Sequence, residues 1–446
     1  MPIRRDSVLF TVFLGALAAL PPLSIDMGLP GFALLEADLG ATASEAAQTL
    51  SLFLLGFAAG PLLFGPLSDR FGRRRILLMG LVIYTLAGLG CTLAPSTGLL
   101  LAARLVQGVG AGAGATLPFA IVRDVFEGTA ARTRIAAVTL VLNVGPIVAP
   151  VLGSLAIQFG GWRAIYAVLA AAGALLLLVT LPGFRETAPD GRHNSLHPRE
   201  LLRRYRSVLG NRVFLGNSLL GACGFATMFS YITASPTVLI GLFGVTPGVF
   251  SLLFGCSAVA LMVGSALNGQ LAARHVAAER VSAAGLGLII LASLGMLAVT
   301  MLGLARPATL VPLAALDTFG YGLLSPGVTH AALQPMGRMA GVASAALRSL
   351  QMLFGSLASA LTGLLFDGHT TWSLSGTMAG FALLGLLARR LATAPEDTAT
   401  AAGLPPASVA SASPTAALAD AVTDHALPPV PGAAPGRLAT RPVGTS

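Results

Sequence analysis

The sequence contains no lysine and little charge of either sign. All 27 basic residues are arginine, and only 10% of the 446 residues are charged, whereas 55% are hydrophobic. Soluble domains carry about 25% charged residues, so this composition, with a mean hydropathy of +0.81, excludes an ordinary soluble protein. Without lysine, the chain also cannot form a Schiff base with a substrate.

Cysteine is scarce as well. Cys91, Cys223 and Cys256 each lie within an apolar run, which excludes a disulfide framework and a clustered cysteine metal site. His193 and His197 have a spacing that would suit a metal on a helix, but a solvated loop is the simpler interpretation. We therefore predict no metal site and no cofactor.

Long hydrophobic runs account for most of the chain. A membrane-spanning helix needs about 20 apolar residues, and runs of that length predict twelve spans. The first run follows two arginines but is too long for a signal sequence and lacks a small-residue cleavage site, so we predict that it is a span. The predicted spans are 7–30, 46–68, 75–94, 98–122, 133–158, 162–182, 213–235, 247–272, 280–304, 308–334, 339–366 and 371–389.

Polar segments divide the chain into two halves and a tail. We predict an N-terminal six-helix half at 1–182, a cytoplasmic central loop at 183–211 and a C-terminal six-helix half at 212–391. The Ala- and Pro-rich segment 392–446 cannot bury a core, so we predict that it is disordered and assign it no function.

The two halves look like repeats of one another. Gly65–Arg70 and Gly269–Arg274 end corresponding helices, and the only two tryptophans, Trp162 and Trp372, each open the last helix of a half. Repeated halves of this kind place a binding site between them, near the middle of the membrane.

Most of the arginines lie in one set of connections. The even-numbered connections and the chain ends hold them, whereas the odd-numbered connections hold Arg163 and Arg306. The positive-inside rule then predicts that both termini are cytoplasmic. The same distribution favours membrane topology over nucleic-acid binding as the reason for the net charge of +9.

Asp26 and Arg104 are ionisable residues inside predicted helices one and four. Such groups are costly in a membrane and usually face a cavity or a partner. At 1.5 Å per residue, Asp26 lies roughly 6 Å and Arg104 roughly 10 Å from the outer ends of their helices, so the two can meet. If the two side chains came together and separated during transport, Asp26 would release a proton when paired with Arg104 and take one up when unpaired. A static ion pair joining two helices is the alternative.

Asp317 and Arg348 are a second set of charges, in helices ten and eleven. Their depths differ by about 10 Å, which favours separate positions in a cavity or gate over a direct pair, although pairing stays open. Aromatic and polar residues are further candidates for the cavity, and ordinary helix packing would explain each of them as well. They are Asn143, Phe225, Met228, Phe229, Tyr231 and Gln351.

Glycine patterns predict two packing features. Gly145-Pro146 breaks the hydrogen-bond ladder of helix five and lacks side-chain bulk, which predicts a bend and close packing. The repeated glycines of Leu105–Gly114 predict a helix-packing face. Nucleotide binding by these glycines would require a preceding strand, so we reject it.

The segment Gly65-Pro-Leu-Ser-Asp-Arg-Phe-Gly-Arg-Arg74 resembles the signature loop between helices two and three of the major facilitator superfamily. The resemblance implies a loop that latches the two halves at the cytoplasmic face. Arg123 and Asp124 are plausible local partners of this loop. The gate-loop residues implied in this way are Gly65, Asp69, Arg70, Gly72, Arg73 and Arg74.

Other segments are similar to the bicyclomycin and chloramphenicol resistance group of drug/proton antiporters. They are Leu23–Met27 with Pro30, Arg104–Gly108, Val122–Phe126, Gly145-Pro146 with Pro150, Gly161–Arg163 and Ser230–Pro236. The resemblance implies an all-α fold of twelve spans in two pseudo-symmetric halves. It also implies that Asp26 is the proton-linked acid and Arg104 its regulator. Ala18 stands where some relatives carry a second acid.

Together these observations predict a proton-coupled multidrug exporter of the bacterial inner membrane. Its ligands would be protons and small amphipathic drugs, such as chloramphenicol- or bicyclomycin-like compounds, and it would work as a monomer in the lipid bilayer. A metabolite exporter or a proton-coupled importer of the same fold is the alternative. An enzyme is not predicted, because the sequence has no His-Glu-x-x-His motif and no paired acids on one helix.

Overall fold

The computed structural model describes residues 4–188 and 198–393. Thirteen α-helices, joined by short connections, account for most of these residues. In chain order they are α1 (Val8–Asp26), α2 (Phe32–Leu39), α3 (Ala43–Phe71), α4 (Arg73–Thr92), α5 (Thr97–Val125), α6 (Gly128–Gly183), α7 (Pro198–Gly210), α8 (Arg212–Ser235), α9 (Pro247–Ala273), α10 (Ala278–Met301), α11 (Pro307–Leu333), α12 (Ala340–Leu364) and α13 (Trp372–Thr393).

The helices provide twelve membrane spans. Nine helical segments in the described residues are long and apolar enough to cross a membrane, and α1 with α2 counts as one of them. The 56-residue α6 has non-helical backbone at Gly160 and Gly161, so it contains two spans. The less apolar α12 and α13 complete the set. The predicted all-α fold of two six-helix halves is confirmed.

Side-chain caps fix where several spans begin. Thr42 precedes α3 and accepts the backbone N–H of Glu45 (3.2 Å), whose carboxylate accepts the N–H of Thr42 in return (2.8 Å). Asn211 precedes α8 and accepts the N–H of Phe214 (2.8 Å). These contacts satisfy backbone donors that a helix leaves free in its first turn.

Helix α1 ends before residue 30, the predicted end of the first span, but the span continues through α2 to Leu39. α1 stops at Asp26, and the chain continues through a 3-10 turn into the short helix α2. The carboxylate of Asp38 in α2 accepts the indole N–H of Trp162 (3.0 Å) and forms an ion pair with Arg163. These contacts attach α2 to the start of the sixth span.

The glycines of α5 face the backbones of neighbouring helices. A Cβ at Gly108 would collide with the carbonyl oxygen of Phe53 in α3, and one at Gly112 would collide with the Cα of Gly60. The helix-packing face predicted from the glycine spacing is therefore confirmed. α5 consequently packs closely against α3 within the N-terminal half.

The predicted central loop contains the helix α7. Leu201, Tyr205 and Val208 have the spacing of one helical face, Val208 is buried, and the Tyr205 hydroxyl donates to the carbonyl oxygen of Leu62 (3.4 Å). The apolar stripe is short and lies among charges, so hydrophobic content alone did not reveal it. His193, His197 and nearly all of the predicted tail lie outside the described residues.

The arginine-bearing connections lie at one end of the bundle, which we call the arginine-rich end. Successive spans run in opposite directions, so these connections meet there. Arg5 donates to the carbonyl oxygen of Glu186 (3.1 Å), and Arg134 donates to that of Asp6 (3.0 Å). We call the other end of the bundle the opposite end.

Candidate substrate cavity

A cavity of about 750 Å³ lies between the two halves and reaches the arginine-rich end. Asp69, Arg73 and Arg123 line its mouth. The interior is mostly apolar and aromatic, with side chains from both halves. Among them are Pro22, Phe57, Phe119, Phe225, Phe229 and Phe254.

The two halves are joined at the opposite end. The Ser251 hydroxyl of α9 donates to the carbonyl oxygen of Pro150 in α6 (3.1 Å) and lies 2.9 Å from the hydroxyl of Ser154. Nearer the middle, Ser356 of α12 donates to the carbonyl oxygen of Ser51 in α3 (2.8 Å). The described residues thus adopt a conformation that is open at the arginine-rich end.

Asp26, the last residue of α1, lies in the wall of this cavity. It is 3% exposed, and its Oδ1 has no hydrogen-bond partner among the described residues. A buried carboxylate without a partner is costly, so a proton or a cationic ligand would stabilise it. The position therefore suits an acid that exchanges its partner.

Arg104 does not form an ion pair with Asp26 anywhere in the described structure. Its guanidinium donates instead to the carbonyl oxygens of Thr49 (3.1 Å) and Ser24 (2.9 Å) and to Oε1 of Gln107 (2.7 Å). It also lies 4.3 Å from the centroid of the Phe53 ring. The depths of the two helices allowed a pair, but depth does not fix the rotation of each helix about its axis.

The contacts of Arg104 join three helices of the N-terminal half. Its acceptors lie on α1, on α3 and on α5 itself. The bond to Ser24 reaches α1 close to Asp26, so Arg104 holds the part of the backbone that carries the acid.

The gate loop makes its ion pairs within the N-terminal half. The guanidinium of Arg73 lies 2.6 Å from the carboxylate of Asp69 and 2.7 Å from that of Asp124, and it donates to the Ser68 hydroxyl (2.5 Å). Asp124 is therefore a partner of this loop, as expected. The implied latch between the two halves stays a prediction.

Glu186 also holds the gate loop, and sequence reasoning missed it. Its carboxylate accepts the backbone N–H groups of Arg73 (2.8 Å) and Arg74 (3.2 Å) at the start of α4. Gly72 has a φ of 93°, and a Cβ there would collide with this carboxylate. Partial burial opposes ionisation of Glu186, but hydrogen bonds from four backbone N–H groups outweigh it and lower the pKa. Nothing local in the sequence marks this contact, because Glu186 lies far along the chain from α4.

The remaining gate-loop residues take different positions. Gly65 lines the cavity. Arg70 lies over the ring of Phe71, 5.2 Å from its centroid. Arg74 donates to the carbonyl oxygens of Phe184 (2.8 Å) and Leu181 (2.7 Å), which attaches α4 to the end of α6.

The structure separates the predicted cavity residues into two groups. Phe225, Met228, Phe229, Tyr231 and Arg348 line the cavity. The residues that do not line it are Asn143, Asp317 and Gln351.

Rotation about the helix axes explains the second group. Leu142 and Thr318 line the cavity, whereas the adjacent Asn143 and Asp317 are turned about 100° away from it. Asn143 is exposed, and Asp317 is fully buried with neither carboxyl oxygen hydrogen-bonded among the described residues. The cavity position expected for Asn143, Asp317 and Gln351 is therefore corrected for this conformation.

The Gly145-Pro146 pair acts mainly through packing. The departures from helical backbone in α6 are at Gly160 and Gly161, and the bend at Gly145-Pro146 stays a prediction. A Cβ at Gly145 would lie 3.0 Å from Cγ of Pro22, so the glycine lets α6 approach α1 near Asp26. Pro146 lines the cavity.

Comparison with known proteins identifies the family. The Major Facilitator Superfamily profile matches residues 13–359. An uncharacterized MFS-type transporter of Bacillus subtilis, YdgK, is 33% identical over 389 residues, which are 87% of this chain and 96% of that protein. A bicyclomycin resistance protein homolog of Haemophilus influenzae is 28% identical over 361 residues, covering 80% and 89% of the two chains.

A solved structure has the same fold. It is a bacterial homolog of the human lysosomal transporter Spinster, in an inward-facing and unoccupied conformation. The TM-score between the two structures is 0.67 and the sequences are 16% identical, and the match covers 86% of this chain and 95% of that one. The chain therefore belongs to the major facilitator superfamily and is a multi-pass transporter of the inner membrane.

Proposed function

We propose that this chain exports small amphipathic drugs, such as chloramphenicol- or bicyclomycin-like compounds, in exchange for protons. The observation that carries the proposal is Asp26, a buried acid with an unpartnered oxygen in the wall of a largely apolar cavity. An apolar cavity with few polar groups suits amphipathic ligands. The likeness to a bicyclomycin resistance protein homolog supports a drug as the substrate.

The mechanism uses one acid and two conformations. We propose that the arginine-rich end faces the cytoplasm, as the positive-inside rule predicts. In the conformation described here, Asp26 would release its proton to the cytoplasm as the drug enters the cavity. In the alternate conformation the drug would leave and Asp26 would take up a proton from outside. Entry of one proton across 100 mV supplies about 2.3 kcal/mol, which sustains roughly a fifty-fold gradient of a neutral drug.

Replacement of Asp26 by asparagine tests the coupling. The amide keeps the shape of the side chain but cannot exchange a proton, so Asp26→Asn should abolish proton-driven drug accumulation in inverted membrane vesicles. Glu36→Gln is the matched control, because Glu36 is an acid of the same half that does not line the cavity. Near-normal proton-driven transport by the Asp26→Asn variant would contradict the proposal.

Export of a metabolite, or proton-coupled import, by the same fold is the second candidate. Both would use the same cavity and the same acid. Uptake of labelled drugs and metabolites into inverted and right-side-out vesicles, with and without a proton gradient, separates the three activities. Proton-driven uptake into right-side-out vesicles would favour import.

A further inference from the structure

Arg348 presents a guanidinium group to the cavity. It lies on α12, is exposed and lines the cavity. Within the described residues, no hydrogen bond or ion pair engages its side chain. A cation on a membrane helix normally has a partner or contacts water, because an unpaired charge in an apolar environment is costly.

The other cavity arginines all have protein partners. Arg73 pairs with Asp69 and Asp124, and Arg204 pairs with Glu200 (2.5 Å). Arg123 donates to the carbonyl oxygen of Phe119 in its own helix (3.2 Å). Arg348 therefore differs from them in having no hydrogen-bond or ion-pair partner among the described residues.

Within the described ranges, no acid forms an ion pair with Arg348. Asp317 is fully buried and forms no ion pair within the described ranges. Counted from the arginine-rich end at 1.5 Å per residue, Arg348 lies about 12 Å into α12 and Asp26 about 27 Å into α1. Asp26 is thus deeper in the cavity by about 15 Å along the bundle axis.

Aromatic side chains line the cavity deeper than Arg348, to about the depth of Asp26. On the same scale, Phe225, Phe229 and Tyr231 lie about 20 to 28 Å into α8, and all three line the cavity. From the mouth inward, a ligand would meet the Arg348 guanidinium first and then the aromatic region, with the Asp26 carboxyl group at the depth of the inner end of that region. This order suits an amphipathic molecule that enters with its apolar body first and its polar group last.

We infer that Arg348 binds the carboxylate of amphipathic substrates whose apolar body occupies the aromatic region. The planar guanidinium matches a carboxylate with two parallel hydrogen bonds, which a point charge cannot reproduce. The inference rests on the proposed function in that the ligand is a transported drug. It adds the class of substrate, amphipathic carboxylic acids, and the residue that selects it.

Binding of a matched pair of probes to the purified protein tests this inference. Pyrenebutyric acid and its primary amide share an aromatic body and differ in the carboxylate, and pyrene fluorescence reports binding of both. The wild type should prefer the acid. Arg348→Gln should weaken binding of the acid by about tenfold or more, as expected for loss of a charge-assisted hydrogen bond, and should change binding of the amide by less than about twofold.

Two further variants make the result specific. Arg348→Lys keeps the charge and should retain part of the preference for the acid, since lysine lacks the planar fork. Arg274→Gln is the control, because Arg274 is an exposed arginine of the C-terminal half that does not line the cavity. It should leave the binding ratio unchanged. Normal binding of the amide by each variant shows that the protein is folded.

Several outcomes would overturn the inference. These are a wild type without preference for the acid, and an Arg348→Gln variant that keeps the wild-type ratio or loses both probes equally. The binding assay needs no proton gradient, so its result is separate from the test of Asp26. Arg348-dependent binding without proton-driven transport would keep the inference and refute the proposed function. Proton-driven transport of neutral drugs, together with an Arg348→Gln variant that keeps the wild-type binding ratio, would keep the proposed function and refute the inference.

Discussion

Replacement of Arg104 by alanine should destabilise the N-terminal half and stop transport. The guanidinium makes three hydrogen bonds, to Ser24, Thr49 and Gln107, and all of them are lost in the variant. If each bond were worth about 0.6 kcal/mol, the mean for neutral interhelical bonds in membranes, the loss would be about 2 kcal/mol. Charge-assisted bonds are worth about 1.5 to 3 kcal/mol each, which sets an upper range of about 5 kcal/mol or more.

We expect Arg104→Ala to lower the free energy of unfolding by about 3 kcal/mol or more, because Arg104 is 2% exposed and the donor of all three hydrogen bonds is charged. Arg104→Lys should recover part of it, since one ammonium group cannot reach all three acceptors in the geometry of the fork. Transport should fall in both variants, because the bond to Ser24 positions the end of α1 that carries Asp26.

Reversible unfolding in mixed detergent micelles, followed by fluorescence, measures the change in the free energy of unfolding. Arg123→Ala is the control in the same helix, because Arg123 is exposed and bonds only within α5. It should cost less than about 0.5 kcal/mol. If Arg104→Ala and Arg123→Ala lowered the free energy of unfolding equally, the three hydrogen bonds of Arg104 would not account for its effect on stability. Full proton-driven transport by Arg104→Ala would show that Arg104 does not position Asp26.

Three further predictions follow from packing and charge. Gly60→Ala should lower the thermal stability of the purified protein, because the new Cβ would collide with α5, whereas Gly255→Ala, with open space around it, should leave stability unchanged or slightly raised. Glu186→Gln should lower the melting temperature at pH 7. Because the pKa of Glu186 is lowered in the folded protein, its ionised carboxylate stabilises the fold fully above the ordinary pKa of 4.5. This stabilisation is lost as the pH falls through the pKa of the folded state. The difference in melting temperature between the variant and the wild type should therefore shrink in acid. A double-mutant cycle of Asp317→Asn with Arg348→Gln should give a coupling below about 1 kcal/mol in thermal stability, and a larger value would show that the two residues pair.

The spans were predictable from sequence because the bilayer imposes a length. An apolar run of about 20 residues has few alternatives to a membrane helix, so the predicted and observed spans agree within several residues. The exceptions have local causes. α1 ends before Pro30, which has no backbone N–H to donate within the helix, and α7 has too short an apolar stripe to be recognised by hydrophobicity.

The contacts of the candidate site were less predictable than its residues. Sequence marked Asp26, Arg104 and Arg348 because charges within apolar runs are rare. The sequence gives the depth of each residue in its helix but not the rotation of the helix about its axis. That rotation decides that Arg104 donates to carbonyl groups and that Asp317 does not line the cavity. Glu186 shows a further limit, since its partners are set by how the end of α6 meets α4.

The joint at Gly160 and Gly161 also has a consequence for biogenesis. The two spans of α6 meet there with no loop between them, and neighbouring Cα atoms are only about 3.8 Å apart. The outer ends of the two spans must therefore stay adjacent while the protein is inserted. We expect the fifth and sixth spans to enter the lipid as one helical hairpin.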